Sequence, residues 1–377
     1  MSKRFIFLLF FILTIVLSAI TVEINANSID DIVNNLVRFK YINSENGLPG
    51  ETVRAIFQDK DGFIWLGLES VGLCRFDGSR FEILNYNPND SLSLSSDFVQ
   101  DIIEDSLGNL WIATDYGLNK LIEGNANVSS TKSFKRYFYK KNSHNTISGN
   151  LIHTLSFDSK GNLLVGSDAG LDVLPKGTSE FRQVHLRNDS LKYDVYDILE
   201  DPQGRFWVAT SNGLYCITSD GRIIKNWNAD NSLILDDQIN AICFDNNNKL
   251  WIGTLNGINI LDTTNFNLTH KVFKGEGSER FDFAGITCIM KDSKENLWIG
   301  SFSYGLLIYN LSIRTYRYYC REQNNSEGLK SNQIRDIYQD KQGIIWIAAK
   351  NTGLHILDQR IFTFGYISQK TNDFPGL

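Results

Sequence analysis

The chain has 377 residues, of which 42% are hydrophobic, 12% aromatic and 21% charged. This composition can form a buried core, which excludes an intrinsically disordered protein. Acidic residues outnumber basic ones by 43 to 37, and the net charge of −6 excludes nucleic acid as a favourable partner. The 29 glycines and abundant phenylalanine and tyrosine favour short strands joined by tight turns.

The first 26 residues differ in character from the rest of the chain. Lys3 and Arg4 precede an uncharged apolar run at residues 5–20, and the small residue Ala26 follows. This order is typical of a secretory signal, so we predict that residues 1–26 form a cleaved signal peptide and that the protein is periplasmic. The alternative is an uncleaved membrane anchor, because a short apolar run can still lie tilted in a deformed bilayer.

The rest of the chain repeats one unit seven times. The first copy, VRAIFQDKDGFIWLGLESVGLCRFD, has an acidic residue before a turn, then a strand-like Trp segment and a Gly-Leu pair. Each unit predicts four short strands, and units of this length are typical of propeller blades. The copies lie near residues 53–77, 99–122, 152–175, 195–218, 239–262, 286–310 and 334–358. We therefore predict an all-β fold, a seven-bladed β-propeller of four-stranded blades over residues 36–368.

The sequence of the turn in each copy distinguishes a calcium-binding loop from a hairpin turn without metal. DKDG at residues 59–62 could open a calcium loop, but the other copies read DSLG, DSKG, DPQG, DNNN, DSKE and DKQG. Calcium requires several oxygen ligands at fixed offsets, whereas an Asp that accepts backbone N–H bonds forms a turn without metal. We predict hairpin turns, with no metal and no cofactor. The cysteines also lack metal-site spacing, and Cys243 and Cys288 are predicted to be buried free thiols.

A tryptophan follows the turn in six copies, and Leu164 takes its place in the third. The regular spacing predicts a structural role in the blade core for Trp65, Trp111, Trp207, Trp251, Trp298 and Trp346. The leucine agrees with this role, because packing tolerates a smaller apolar residue at some loss of stability.

Two segments compete to complete the seventh blade. One is LVRFKYINSENGLPG at residues 36–50, and the other is IFTFGYIS at residues 361–368. We predict that the N-terminal segment does so, because a strand donated from the far end of the chain latches the ring shut. The C-terminal segment and the tail, residues 369–377, then resemble the start of a further, truncated repeat.

The pattern V-x-x-I-x-x-D-x-x-G-x-x-W-[IVL]-[GA]-T-x-x-G-[LI] resembles the two-component-regulator propeller repeat. FKYINSENGLPGETVRAIFQDKDGFIWLG is similar to the start of the family's sensors. The resemblance implies the periplasmic sensor half of a hybrid two-component system, in which polysaccharide fragments bind and alter kinase output. It also implies further sensor domains and a membrane histidine kinase as partners. Since kinase and regulator motifs are missing here, we expect a sensor fragment, a truncated product or a split component.

One face of the predicted propeller is the better place for a ligand. The loops between strands two and three open on the same face as the connections between blades. Just inside the first strand, one position is polar in every blade. Its occupants, which we call the polar ring, are Arg54, Gln100, His153, Tyr196, Asn240, Thr287 and Arg335. We predict that the ring lies at the channel mouth, either contacting a ligand or as a solvated lining.

The loops between strands two and three supply further candidates. They are Glu69, Asp115, Tyr116, Asp168, Asn212, Asn256, Tyr304 and Lys350. Carboxylates, amides and aromatic faces suit sugar hydroxyls and ring C–H surfaces, and the two ring arginines suit the carboxylate or sulfate of an acidic sugar. Turn formation explains the Asn and Asp residues equally well.

Three classes of function are compatible with the sequence. The first, which we favour, is a sensor propeller that recognises an oligosaccharide without catalysis. The second is a scaffold that binds another protein. The third is a propeller lyase or hydrolase, which the sequence disfavours because its five histidines show no ligand spacing and no catalytic motif occurs.

Overall fold

The computed structural model describes residues 38–122, 132–186, 193–274, 277–323 and 325–358. Within these ranges, the compact unit Lys40–Asp358 contains seven antiparallel sheets of four strands each. The first strands of successive sheets contact one another in order, and the first strand of the last sheet contacts that of the first. This arrangement confirms the predicted seven-bladed propeller.

The strand bounds follow the repeat. The chain's first strand is β1 (Lys40–Ile42). Blade 1 comprises β2 (Val53–Gln58), β3 (Ile64–Leu68), β4 (Gly72–Phe76) and β5 (Phe81–Leu84). Blade 2 comprises β6 (Val99–Glu104), β7 (Leu110–Thr114), β8 (Gly117–Ile122) and β9 (Ser133–Tyr137). Blade 3 comprises β10 (Ile152–Phe157), β11 (Leu163–Ser167), β12 (Gly170–Leu174) and β13 (Arg182–Val184).

The remaining blades have the same order. Blade 4 comprises β14 (Val195–Glu200), β15 (Phe206–Thr210), β16 (Gly213–Ile217) and β17 (Ile223–Trp227). Blade 5 comprises β18 (Ile239–Phe244), β19 (Lys249–Thr254), β20 (Gly257–Asp262) and β21 (Asn267–His270). Blade 6 comprises β22 (Ile286–Lys291), β23 (Asn296–Ser301), β24 (Leu306–Asn310) and β25 (Tyr316–Tyr319). Blade 7 comprises β26 (Ile334–Gln339), β27 (Ile344–Ala349) and β28 (Gly353–Asp358), with β1 outermost.

The N-terminal strand closes the ring. Strand β1 pairs antiparallel with β28, so that Tyr41 lies opposite His355. The Tyr41 hydroxyl also donates a hydrogen bond to the carbonyl oxygen of Gly328 at 2.5 Å. The preference for the N-terminal segment is therefore confirmed, while the competing segment at residues 361–368 lies outside the described residues.

The hydrophobic core lies between neighbouring blades. Between blades 1 and 2, for example, Trp65 and Leu73 pack against Val99 and Ile112. All six repeat tryptophans and Leu164 are buried. Truncating such an indole to alanine typically costs about 3–5 kcal/mol, so these residues hold the blades together.

The second strand of each blade approaches the next blade closely. An added Cβ at Gly300 would lie 2.6 Å from the Cys288 sulfur and 2.7 Å from a methyl carbon of Ile334 in blade 7. These distances are shorter than packing allows, so blade 6 requires glycine here, whereas the other copies of the repeat have glycine or alanine at this position.

The cysteines are all free thiols. Cys74 and Cys216 are buried, but Cys243 and Cys288 are only partly so. The expectation of burial was wrong for these two because their first strands line the inside of the ring, where some surface stays accessible.

The Asp turns have the predicted structure. In blade 1, one carboxylate oxygen of Asp59 accepts hydrogen bonds from the backbone N–H groups of Asp61 and Phe63 at 3.0 and 2.9 Å. The same two backbone contacts recur at Asp105, Asp158, Asp201, Asp245, Asp292 and Asp340. Backbone donors thus occupy an oxygen that calcium would need, which confirms the interpretation as hairpin turns. We call the face that carries these turns the turn face, and the opposite face the mouth face.

The second oxygen of the turn Asp explains the spacing between Asp and Trp. In five blades it accepts a hydrogen bond from the indole N–H six residues later. The donors are Trp65 (2.7 Å), Trp111 (3.3 Å), Trp207 (2.9 Å), Trp298 (2.8 Å) and Trp346 (2.8 Å). A buried indole N–H requires an acceptor, and the turn supplies it. Blade 3 has Leu164 at this position, and in blade 5 the N–H of Trp251 has no acceptor among the described residues.

Three first strands carry an aspartate that bonds to the next blade. Asp101 of blade 2 accepts a hydrogen bond from Leu155 N at 2.7 Å. Asp197 accepts one from Ile242 N, and Asp336 one from Ile56 N, both at 2.8 Å. Each carboxylate therefore links two innermost strands across a blade interface.

Among the described residues, no helix has the length and apolar character that crossing a lipid bilayer requires. The helical elements in those ranges are two short 3-10 turns, Ser44–Asn46 and Ser278–Asp282.

Candidate functional site

The polar ring coincides with a β-bulge in every blade. In blade 1, Val53 pairs with Leu68 and Ala55 with Gly67, so Arg54 is an extra residue between them. The pairing skips the ring residue in the same way in the other six blades. A bulge bends the strand and re-aims the extra side chain. The ring therefore lies where each chain segment enters its first strand from the mouth face.

Two arginines of the ring differ in their surroundings. The Arg54 guanidinium donates to Glu69 at 3.0 Å and to the side-chain oxygen of Gln100 at 3.2 Å. Arg335, in the adjacent blade, is half-buried, and its Nε has no acceptor among the described residues. Burial, together with the positive charge of Arg54, lowers the pKa of Arg335, and the carboxylate of Glu69 only partly offsets this. The site therefore holds one arginine that is paired with Glu69 and one, Arg335, for which the described residues supply no ion pair within 4 Å.

At blades 3 and 4 of the polar ring, the side chains of His153, Tyr196 and Asp194 form a cluster. The rings of His153 and Tyr196 lie 5.0 Å apart, and the Tyr196 hydroxyl donates to Asp194 at 3.0 Å. His153 Nε2 lies 3.9 Å from the same carboxylate. Burial lowers the pKa of His153 despite the nearby acids, so this imidazole is neutral at pH 7. Burial and Asp194 raise the pKa of Tyr196 to about 12, so its phenol keeps its proton.

The remaining ring members have contacts within the fold. Asn240 donates from Nδ2 to the Ile286 carbonyl of blade 6 at 2.8 Å and accepts from Gln238 at 3.1 Å. The Thr287 hydroxyl lies 3.7 Å from the Cys288 sulfur. These contacts tie the two side chains to the scaffold, so Asn240 and Thr287 have fewer groups available for a ligand.

The other predicted candidates lie in mouth-face loops. Asp115 accepts a hydrogen bond from the Ser96 hydroxyl, and Tyr116 packs against Phe138 with 5.6 Å between ring centres. Tyr304 is exposed, and Lys350 is half-buried. Within the described part of the chain, no hydrogen bond or ring contact joins these four residues to the polar ring.

The sequence interpretation missed an aromatic group beside Arg335. The ring of Phe302 lies 5.9 Å from the Arg335 guanidinium carbon, a distance typical of a cation–π contact. Leu255, Phe283 and Tyr304 are also exposed in the loops and connection of blades 5 and 6. Asp194 was missed as well. Phe302 could have been predicted, because it lies in the same loop between strands two and three of blade 6 as the candidate Tyr304.

No group of three or more His, Cys, Asp and Glu side chains in the described ranges is arranged to hold a metal ion.

Comparison with known proteins agrees with the repeat. The family model described as two component regulator propeller matches residues 47–70, 93–116, 191–212, 234–256 and 328–351. The chain carries two-component regulator propeller repeats. Each matched segment spans a first strand, its Asp turn and the second strand. Five members of the polar ring lie inside them, namely Arg54, Gln100, Tyr196, Asn240 and Arg335.

Three proteins illustrate the similarity. Histidine kinase P4 of Formosa agariphila is 30% identical over 350 residues, which cover 79% of this chain and 25% of the relative. A crystal structure named as the extracellular domain of hybrid two component system BT3049 from B. thetaiotaomicron has a TM-score of 0.71 and 23% identity. It covers 85% of this chain and 42% of that one. Virginiamycin B lyase from Staphylococcus aureus has a TM-score of 0.63 and 13% identity, covering 85% and 98%.

These similarities have different scope. The chain spans a quarter of the length of the kinase relative and less than half of the extracellular domain. Both solved structures are below a quarter in identity and therefore show the fold alone.

Proposed function

We propose that this propeller is the exported ligand-binding part of a two-component sensor. Its mouth face binds an acidic oligosaccharide without catalysing a reaction, and occupancy is transmitted to a membrane histidine kinase. The family model and the kinase relative support the sensory role. The signal-like segment at residues 1–26, which lies outside the described residues, and the extracellular neighbour support export.

The surroundings of Arg335 are the reason for proposing an acidic ligand. A half-buried guanidinium that has a second arginine nearby, and whose Nε has no acceptor among the described residues, is electrostatically unfavourable, and Glu69 offsets this only in part. A carboxylate or sulfate on a sugar would supply an anionic acceptor for the guanidinium, and arginine binds both groups in a bidentate way.

The groups around Arg335 suit the rest of a sugar. Phe302 and Tyr304 present partly exposed aromatic faces, which pack against the C–H surface of a pyranose ring. Gln100 and Glu69, which already contact Arg54, offer amide and carboxylate groups to hydroxyls. The bulge holds Arg54 and Arg335 on the rigid first strands rather than on loops, so little order is lost on binding.

A thermal-shift screen of residues 27–377 against acidic and neutral oligosaccharides tests this proposal. A ligand that binds only the native state raises the melting temperature. We expect a rise with a sulfated or uronic-acid oligosaccharide, no rise with its neutral counterpart, and loss of the rise in Arg335→Ala. No shift with any saccharide would overturn the proposal and favour a protein-binding scaffold, which would instead co-purify with its partner.

The matched control is Arg222→Ala. Arg222 lies in the outer hairpin of blade 4 on the turn face, where it pairs with Asp220 at 2.9 Å. The Arg222→Ala substitution removes one positive charge, as Arg335→Ala does, so a change caused by net charge alone would appear in both variants. We expect Arg222→Ala to keep the ligand-induced shift.

A second candidate function is a lyase, and the cluster of His153, Tyr196 and Asp194 favours it. A neutral imidazole at a channel mouth can act as a general base, and a protonated phenol can act as an acid. Analysis of the incubated saccharide by mass spectrometry separates the two functions. An unchanged saccharide supports the sensor, whereas an unsaturated product that disappears in His153→Ala supports the lyase.

A further inference from the structure

A cavity between blades 5 and 6 has the properties of a second ligand site. It has a volume of about 290 Å³ and lies between the Asp turn of blade 5 and the outer hairpin of blade 6. Its charged lining residues are Lys249, Lys271, Arg314 and Asp245, and its main apolar ones are Trp251 and Tyr309. The polar ring takes no part in this cavity.

The indole of Trp251 is the first reason to treat the cavity as a site. Five other repeat tryptophans donate their N–H to the turn Asp six residues earlier. Trp251 is 3% exposed, and its N–H has no acceptor among the described residues, although Asp245 occupies the equivalent turn. A buried donor without an acceptor is costly, and such groups are rare in folded proteins. A ligand oxygen would restore the missing bond.

The second reason is an excess of positive charge. None of Lys249, Lys271 and Arg314 has a described carboxylate within 4 Å, although Lys249 is close enough to Asp262 to lower the pKa of that carboxyl. Among the lining side chains, three cations thus accompany one carboxylate, that of Asp245. The lining favours an anion.

The third reason is the way in which two cations are held. The ammonium of Lys271 lies 4.3 Å from the ring centre of Tyr309, 5.3 Å from Phe273 and 5.9 Å from Trp251. Arg314 has a φ of +60°, in the left-handed region that the outer hairpins of blades 1, 3 and 4 give to glycine and that of blade 5 gives to Phe266. A large side chain is uncommon in this conformation. The fold thus fixes Lys271 and retains Arg314 at some conformational cost.

We propose that this cavity binds a small monocyclic carboxylate. The carboxylate would interact with Lys249, Lys271 and Arg314 and accept the Trp251 N–H, while the ring would pack against Tyr309 and Leu311. The volume is at the lower end of the range for small-molecule pockets, which suits one ring and its acidic group. Because the indole nitrogen has almost no exposed surface, we expect the flexible Lys249 side chain to move when the ligand enters.

Calorimetric titration of the folded propeller with benzoate tests this inference, with benzamide and sulfate as comparison ligands. We expect benzoate to bind, benzamide to bind at least about tenfold more weakly for want of charge, and sulfate to bind more weakly for want of a ring. Equal binding of benzamide would overturn the role of the cations. Sulfate binding as tight as that of benzoate would overturn the assignment of a ring.

Two variants locate the site. Lys271→Met keeps the aliphatic packing and removes the charge, and Trp251→Phe keeps an aromatic ring and removes the N–H. We expect each to weaken benzoate binding about tenfold. The matched control is Lys120→Met in blade 2, where Lys120 lies 4.9 Å from the ring centre of a paired indole, Trp111. Removing that lysine should leave benzoate binding unchanged. Loss of binding in all three variants would overturn the location.

This inference does not depend on the proposed sugar site. Benzoate could also bind at the mouth, beside Arg335 and Phe302, so Arg335→Ala is titrated as well. If Arg335→Ala abolishes benzoate binding and Lys271→Met does not, the cavity is not the site. If Lys271→Met abolishes it while acidic oligosaccharides still stabilise that variant, both sites exist.

Discussion

On the turn face of the propeller, seven aspartates make the same pair of backbone contacts in seven blades. On the mouth face, the bulged position at the start of each first strand has the same geometry throughout but six different residue types. The backbone is equally regular on both faces, so the difference lies in the side chains. The turn face uses one residue for one structural task, whereas the mouth face offers a fixed frame on which chemistry varies.

This difference predicts where substitutions cost stability and where they change binding. Removing a repeated contact on the turn face should destabilise the fold. Changing a ring residue on the mouth face should leave the fold nearly intact, because bulged and half-buried side chains contribute little packing.

The largest expected effect is that of Asp201→Ala. This buried carboxylate accepts four bonds, from the backbone of Gln203 and Arg205, from Arg205 Nε at 2.6 Å and from the Trp207 indole at 2.9 Å. Its removal leaves buried donors and a cation unpaired, so we expect the free energy of unfolding in urea to fall by about 3–5 kcal/mol. The comparison variant, Gln100→Ala in the polar ring, should lose no more than about 1 kcal/mol. Similar losses in both would contradict the division between the faces.

The next effect concerns the aspartates that link the innermost strands. Burial inside the ring raises the pKa of Asp101 to about 7 and those of Asp197 and Asp336 to about 6. The folded protein therefore holds more protons than the unfolded chain between about pH 4 and 7. Stability from these groups is present below about pH 4 and is lost as the pH rises through the folded pKa values. We expect the urea midpoint to be higher at pH 5 than at pH 8.

The double variant Asp101→Asn and Asp336→Asn checks the cause. An amide does not titrate, so the midpoint should depend less on pH in the variant, even if one lost acceptor at each position lowers it overall. An unchanged slope would assign the pH dependence to other groups, such as the net negative charge of the surface.

The sequence was sufficient for the fold because each blade repeats the same local signals. The Asp turn, the Trp six residues later and the Gly or Ala in the second strand each have a contact that requires that residue type, as Gly300 against Ile334 illustrates. The aligned copies of the repeat predict the polar ring. They do not predict the bulge at the same position, because an extra residue in one strand appears only when the strand pairing is known.

Other parts of the site depended on contacts between distant residues. The unpaired Nε of Arg335 and its position beside Phe302 involve two blades, and no spacing within one copy predicts them. The sequence also does not reveal that Trp251 is exceptional, since Asp245 precedes it by six residues, the same spacing as in the other copies. Whether an N–H reaches its acceptor depends on the exact positions of the two side chains, which the repeat pattern does not encode.

The smallest expected effect compares two tryptophans. Trp298→Phe removes an indole N–H that donates to Asp292 at 2.8 Å, whereas Trp251→Phe removes one that has no acceptor among the described residues. Both lose similar ring area, so Trp298→Phe should lower the free energy of unfolding by about 1 kcal/mol more than Trp251→Phe. Urea unfolding of the two variants in the same buffer measures this difference. An equal loss would mean that the Trp251 N–H is bonded in solution.

Calorimetric titration of wild type, Arg335→Ala, Arg335→Lys and Arg222→Ala tests most directly whether the mouth face binds an acidic saccharide through Arg335. With a uronic-acid oligosaccharide we predict that the wild type and Arg222→Ala bind alike. Arg335→Ala should bind at least about tenfold more weakly and Arg335→Lys should recover only part of the loss, because lysine cannot bind a carboxylate in a bidentate way. All four should melt within about 2 °C of one another without ligand. Equal binding by wild type and Arg335→Ala would contradict a saccharide site at Arg335.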